Sequence, residues 1–158
     1  MKNTVENALR SQNLRYQVLT DTPVQTVLRM GMGMENGRFD VFIDVRPEHQ
    51  QTLIFTVFPS IVPESQRLRV SEFITRANYG LVVGNFEMDM GDGELRYKVT
   101  YFYDNMFPNS ETVFLKSLFT SFHMMNRYLP GIMAVIYANV LPQVAVNQIE
   151  NLGNPMMN

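Results

Sequence analysis

The sequence predicts an α+β domain: an antiparallel sheet with helices before, between and after its strands. Three observations predict it. Two segments alternate apolar and polar residues about a tight-turn pair, Asn36-Gly37 in one and Asp92-Gly93 in the other. Other segments space their apolar residues three and four apart, the period of a helix with one buried face. The chain has 158 residues, 46% of them hydrophobic, enough for one core without covalent staples.

The elements follow in chain order. Residues 4–13 read as a helix, with Thr4 as N-cap, Glu6 in the first turn, Val5, Ala8 and Leu9 on one face, and Asn13 at its end. Tyr16 to Pro23 reads as a connection with at most a short extended piece. The first hairpin turns at Asn36-Gly37. Its register pairs Met34 with Phe39, Met32 with Val41, Met30 with Ile43 and Leu28 with Val45. On its other face Glu35 meets Arg38, Gly31 meets Phe42 and Arg29 meets Asp44. Thr52 to Phe58 is a third strand; its consecutive Leu53, Ile54 and Phe55 leave its register open.

Pro63 to Asn78 reads as a helix burying Val70, Phe73, Ile74 and Ala77, with Glu72 and Arg76 spaced for an ion pair and Gly80 as its stop. A second hairpin spans Leu81 to Tyr103. It pairs Met90 with Leu95, Met88 with Tyr97 and Phe86 with Val99, and on the other face Asp89 with Arg96, Glu87 with Lys98 and Asn85 with Thr100. The rest is helical. Asn109 or Ser110 caps a long helix with Glu111 in its first turn and a stripe of Leu115, Leu118, Phe119, Phe122, Met125 and Leu129. Pro130 either kinks this helix or starts the next. Ile132 to Tyr137, apolar all round, is expected deep in the core. Pro142 opens a last short helix. The expected architecture is an antiparallel sheet of about five strands, in the order helix, three strands, helix, two strands, helices. Residues 1–150 form the domain and 151–158 a flexible tail.

Composition excludes several chemistries. The chain has no cysteine, so disulfides, thiol catalysis and cysteine-bound zinc are ruled out. The 13 basic residues are scattered in a chain of net charge −2, which does not favour nucleic acid. No apolar run follows Met1-Lys2-Asn3, so no secretory signal is expected, and the cytoplasm is the expected compartment. Tyr128 to Ile149 is uncharged and long enough to span a bilayer, but Pro130, Asn139, Pro142, Gln143 and Asn147 interrupt it; a buried helix and a second short helix explain it better.

Several motifs admit both a chemical and a structural reading, and the structural one fits better. Gly31-Met32-Gly33-Met34-Glu35-Asn36-Gly37 misses the dinucleotide spacing by one residue and precedes a strand, so its glycines are expected to let Phe42 lie across the neighbouring strand. Asp89 to Gly93 lacks the acids of a calcium loop and reads as a turn. Glu87 and Asp89, about 7 Å apart on a strand, have a basic residue opposite each and read as a charge ladder. Asp40 and Asp44 are about 13 Å apart, too far for shared chemistry. His49 and His123 lack partners at ligand spacing, so neither metal nor other cofactor is expected. The twelve methionines suit gap-filling in the core more than a binding patch, with Met30, Met32 and Met34 on the inward face.

Four stretches together carry a resemblance: Phe73-Ile74-Thr75-Arg76-Ala77-Asn78-Tyr79-Gly80-Leu81, Gly84-Asn85-Phe86-Glu87-Met88-Asp89, Gly93-Glu94-Leu95-Arg96-Tyr97, and Tyr128-Leu129-Pro130-Gly131-Ile132-Met133-Ala134-Val135-Ile136-Tyr137. Over roughly residues 25 to 140 the chain resembles the YbjN family. That resemblance implies a fold similar to type III secretion chaperones, a homodimer, and a label of sensory transduction regulator that names no reaction and brings no catalytic residue. The expected function is therefore a non-enzymatic protein-binding module, chaperone-like or regulatory, whose partners are a second copy and a protein client. Gly31, Gly33, Phe42 and Phe102 are the candidate partner-binding residues. The alternative is a ligand-sensing domain or small enzyme with an apolar pocket under the long helix.

Overall fold

The computed structural model describes residues 1–103 and 111–152. Among them the order is α1 (Lys2–Ser11), β1 (Gln17–Asp21), β2 (Thr26–Gly33), β3 (Arg38–Arg46), β4 (Gln51–Val57), α2 (Arg67–Gly80), β5 (Asn85–Met88), β6 (Leu95–Phe102), α3 (Glu111–Tyr137) and α4 (Pro142–Leu152). The described strands form one sheet in the order β1-β2-β3-β4-β6-β5, with every neighbouring pair antiparallel. The α+β class holds, with six strands where about five were expected. The added strand is β1, inside the segment read as a connection. Four of its five residues are exposed, so no apolar alternation marked it.

Alternation divides the sheet into two faces. Leu28 and Met30 of β2, Phe39, Val41, Ile43 and Val45 of β3, Ile54 of β4, and Leu95, Tyr97 and Val99 of β6 point toward the helices and are buried. They meet Val5, Ala8 and Leu9 of α1, Val70, Phe73, Ile74 and Ala77 of α2, and Phe114, Leu118, Phe122, Met125 and Ile132 of α3 in one core. A buried hydroxyl pair, Thr56 Oγ1 with Ser121 Oγ at 2.7 Å, links β4 to α3. Met30 and Met125 are buried, and Met1, Met32, Met34, Met88 and Met124 pack against the core, whereas Met90 and Met133 are exposed.

Both hairpins have the expected faces but a register shifted by two residues. Met32 stands opposite Phe39, Met30 opposite Val41, Leu28 opposite Ile43 and Thr26 opposite Val45. Arg29 therefore faces Phe42, and Gly31 faces Asp40. The turn is centred on Glu35-Asn36, closed by the Met34 N–H donating to the Gly37 carbonyl at 2.8 Å, and neither Asn36 nor Gly37 has a positive φ. Tertiary contact selects this turn. Asn126 Oδ1 of α3 accepts from the Asn36 N–H, and Asn36 Nδ2 donates to the Asn126 carbonyl, both at 2.9 Å. Gly37 allows a close approach, since a Cβ there would stand 2.8 Å from the end of the Leu129 side chain and push it aside. A shift of two leaves every side chain on its own face, so alternation could not exclude it.

In the second hairpin Met88 faces Leu95, Glu87 faces Arg96, Phe86 faces Tyr97 and Asn85 faces Lys98. The Asp89 N–H donates to the Glu94 carbonyl at 2.9 Å, and Asp89 Oδ1 and Asp92 Oδ1 accept from the Gly91 and Glu94 N–H groups, which lengthens the loop. Gly93 holds φ 85°, where a side chain would also collide with the Val62 carbonyl.

Helices α1, α2 and α4 differ from expectation at their ends. Helix α1 starts at Lys2 without a side-chain cap. Helix α3 runs through Pro130, and Met133 and Tyr137 on its outer side are exposed, so its second half is buried on one side only. Asn139 takes the left-handed turn beyond α3 (φ 56°), and Arg69 donates to the Asn139 and Val140 carbonyls at 3.1 and 2.9 Å, tying the loop after α3 to α2. The expected caps Asn109 and Ser110 lie outside the described residues; so does the expected tail beyond Leu152, while Asn151 and Leu152 continue α4.

Candidate functional site

With the core on one side, the second face of the sheet carries the other half of every strand. Arg29, Phe42, Phe55 and Lys98 stand in a row across β2, β3, β4 and β6. Beside it runs Gly31, Asp40, Val57, Arg96 and Glu87; on the far side run Val27, Asp44, Leu53 and Thr100. Val27, Phe42, Leu53, Phe55 and Val57 are each half-buried. They form an apolar centre with charged residues around it, and a shallow cleft of about 280 Å³ opens among Phe42, Phe55 and Arg96.

The charges around this centre are paired. Arg29 bonds Asp40 and Arg46 bonds Asp44, each at 2.8 Å. Arg96 bonds Glu87 at 2.6 Å and Glu94 at 3.2 Å, and Lys98 also bonds Glu87. Asp44 is nearly buried; the pairs of Arg29 and Arg96 are more exposed and add little stability. Their guanidinium planes instead frame the rings: Arg29 lies 5.9 Å from the centre of Phe42 and Arg96 4.5 Å from that of Phe55. Aromatic and arginine side chains inside a polar rim are the composition of protein interfaces.

The face is poorly equipped for acid–base chemistry. Burial pushes the Glu87 carboxyl up, but Lys98 and Arg96 outweigh it and hold the group below its ordinary value, as an ionised partner. Asp89 is spent on its own turn. Among the described residues no three acidic or histidine side chains gather as a metal site would need, and no helix is long and apolar enough to cross a membrane. His49 is exposed in the β3–β4 loop and His123 is exposed on α3.

All four residues singled out from sequence fall on this open face. Gly31 and Gly33 lie along β2, Phe42 is central, and Phe102 ends β6 opposite Gln51, 71% exposed. Their relations differ from expectation: the Arg38 guanidinium lies over Gly31, and it is Arg29 that meets Phe42. Phe55, Leu53, Val57 and Arg96 were missed. Phe55 sits in an apolar triplet whose register the sequence left open, and only the pairing of β4 with both β3 and β6 reveals its side.

The two edges of the sheet are unlike. On β5, the Asn78 side chain of α2 bonds the outward backbone of Phe86 twice: Oδ1 accepts from the N–H at 2.8 Å, and Nδ2 donates to the carbonyl at 2.9 Å. The amide thus occupies the place of a further strand. On β1 at the other edge, Val18 and Leu19 are each 46% exposed, and a bulge lies between Val18 and Thr20. Beside the long helix α3 lies an open groove on its outward side.

The family model described as "YbjN: Putative bacterial sensory transduction regulator" matches residues 2–112. No curated protein matches the chain. Among solved structures the chain is similar to one titled "Structure of the HopA1-SchA Chaperone-Effector Complex", at 14% identity and a TM-score of 0.47, over 80% of this chain and 89% of that one. With its match running from α1 to the start of α3, the chain belongs to the YbjN family.

Proposed function

We infer that this chain is a non-enzymatic protein-binding module, chaperone-like or regulatory, and that the open face of its sheet holds the client. The supporting observation is the half-buried row of Phe42 and Phe55 between Arg29 and Arg96, an apolar surface that folding leaves uncovered. The family's description as a regulator is consistent with this reading. Residues 1–150 act as one unit, in the cytoplasm, where a chain without cysteine needs no oxidising environment.

The module acts as a homodimer through the β1 edge. Asn78 occupies the β5 edge, which leaves β1, with Val18 and Leu19, for a second copy to cover. Light scattering is expected to give twice the 18.3 kDa chain mass. Monomer mass at every concentration would remove the dimer.

Client binding is tested by affinity capture with the native chain and with the double variant Phe42→Lys, Phe55→Lys. The variant is expected to keep its fold and lose at least about nine-tenths of the captured client, as loss of central aromatic anchors does. A folded variant that captures the same client equally well would overturn the reading.

A further inference from the structure

The outward side of α3 carries a surface that owes nothing to the sheet face. Val113, Lys116, Thr120, His123 and Met124 line an open, mostly apolar groove of about 580 Å³, and Val83, from the segment before β5, also lines it. Val83 and Val113 are nearly half exposed and the adjoining Val82 almost fully so. Lys116, Thr120, His123 and Arg127 recur at the spacing of a single helical stripe, about 16 Å long at the rise of an α-helix.

Charge is segregated here. From Thr112 to Ile149 the sequence contains no acidic residue, although the whole chain is net negative. Among the described residues Lys116, His123 and Arg127 form no ion pair. Arg127 meets only the ring of its neighbour Tyr128, at 5.6 Å. The groove thus pairs an apolar floor with Lys116 on its rim and Arg127 along the same stripe, two cations with no counter-charge among the described residues.

That combination selects the occupant. A second copy docked α3 against α3 would oppose Lys116 and Arg127 to like charges, with no carboxylate on the helix between them, which costs affinity. Small-molecule sites enclose most of their ligand, and this groove is open along its length. We propose that it docks a helical segment of another protein, with apolar residues every three to four positions and acidic residues along one edge facing Lys116 and Arg127. Such a helix needs about three turns to follow the stripe.

The test selects displayed helical peptides of about fourteen residues, three to four turns long, on the full chain and titrates single binders by fluorescence anisotropy. Selected binders are expected to carry Asp or Glu, to lose about tenfold or more in affinity for Lys116→Glu, and to recover when their acids are changed to lysine against that variant. They are also expected to bind the Phe42→Lys, Phe55→Lys variant unchanged, which separates this site from the sheet face. Failure to select binders that depend on Lys116, or binders as often basic as acidic, would overturn the proposal. So would loss of binding in the sheet-face variant. Vesicles of phosphatidylglycerol that bind the chain through Lys116 more tightly than any peptide would overturn it as well, and assign the groove to a membrane surface.

Discussion

On the covered face of the sheet, Leu28, Ile43 and Ile54 are wholly shut from solvent; their chain neighbours on the open face, Val27, Phe42 and Phe55, remain partly exposed. The strands are the same, so propensity cannot account for the difference. What differs is what each face meets: a core shared with the helices on one side, and on the other, among the described residues, only its own ion pairs. The comparison teaches where stability and binding reside. Burial against the helices stabilises the fold, and the open face keeps apolar surface that the fold does not need.

The sharpest way to break this comparison is to truncate neighbours that point opposite ways. Ile54→Ala is expected to cost about 2–5 kcal/mol in urea unfolding, the range for emptying a buried aliphatic site. Phe55→Ala, one residue on, is expected to cost no more than about 1.5 kcal/mol, because only part of its ring leaves water on folding. Equal losses would make the open face part of the core.

The next largest effect separates the two edges. Asn78→Ala removes two bonds to Phe86 and leaves its backbone without that partner. A loss of about 1–3 kcal/mol is expected, together with self-association that grows with concentration as the β5 edge opens. A variant as stable and as well dispersed as the parent would show that Asn78 does not guard the edge.

The faces should also separate by pH. Burial pushes the hydroxyls of Tyr97 and Tyr101 on the covered face from 10 up to about 12. The unfolded chain releases these protons first, so between about pH 10 and 12 it binds fewer protons than the folded chain and stability falls as pH rises. Tyr101→Phe is expected to flatten that alkaline fall. Its effect at neutral pH is expected to be small, no more than about 1 kcal/mol, because the Tyr101 hydroxyl meets only the facing Thr52 hydroxyl, in a poorly aligned contact. On the open face, Glu87 is held below its ordinary value; its contribution is present above that value and is lost as pH falls through the lowered one. Melting curves of the parent and Glu87→Gln are therefore expected to differ slightly at neutral pH and to converge in acid. An unchanged alkaline slope in Tyr101→Phe, or curves that stay apart in acid, would contradict the assignment of these limbs to these faces.

The faces were legible in the sequence because alternation with period two is a local signal. Val41, Ile43, Tyr97 and Val99 were placed inward correctly, as were the helix positions Val70, Phe73, Ile74 and Ala77. Register was less legible, because it depends on contacts made far along the chain. The Asn36-Gly37 pair reads locally as a left-handed turn; Asn126, ninety positions away, holds Asn36 in another. Strand β1 has an edge and little burial, so it carries no pattern at all. Asn78 lies in a stretch that also carried the family resemblance, yet nothing local says that its amide reaches Phe86. The candidate site was half legible for the same reason. Gly31, Gly33, Phe42 and Phe102 share the open face, whereas Phe55 and Arg96 joined them only once β4 was seen to pair with both β3 and β6.

The most direct test of a free face backed by a helix-covered one is methyl NMR with a soluble nitroxide. Methyl signals of Val27, Leu53 and Val57 are expected to broaden strongly as the nitroxide is added, while those of Leu28, Ile43, Ile54 and Val99 stay sharp. Equal protection of both sets would contradict the account, since it would mean that the sheet has no open face to offer a partner.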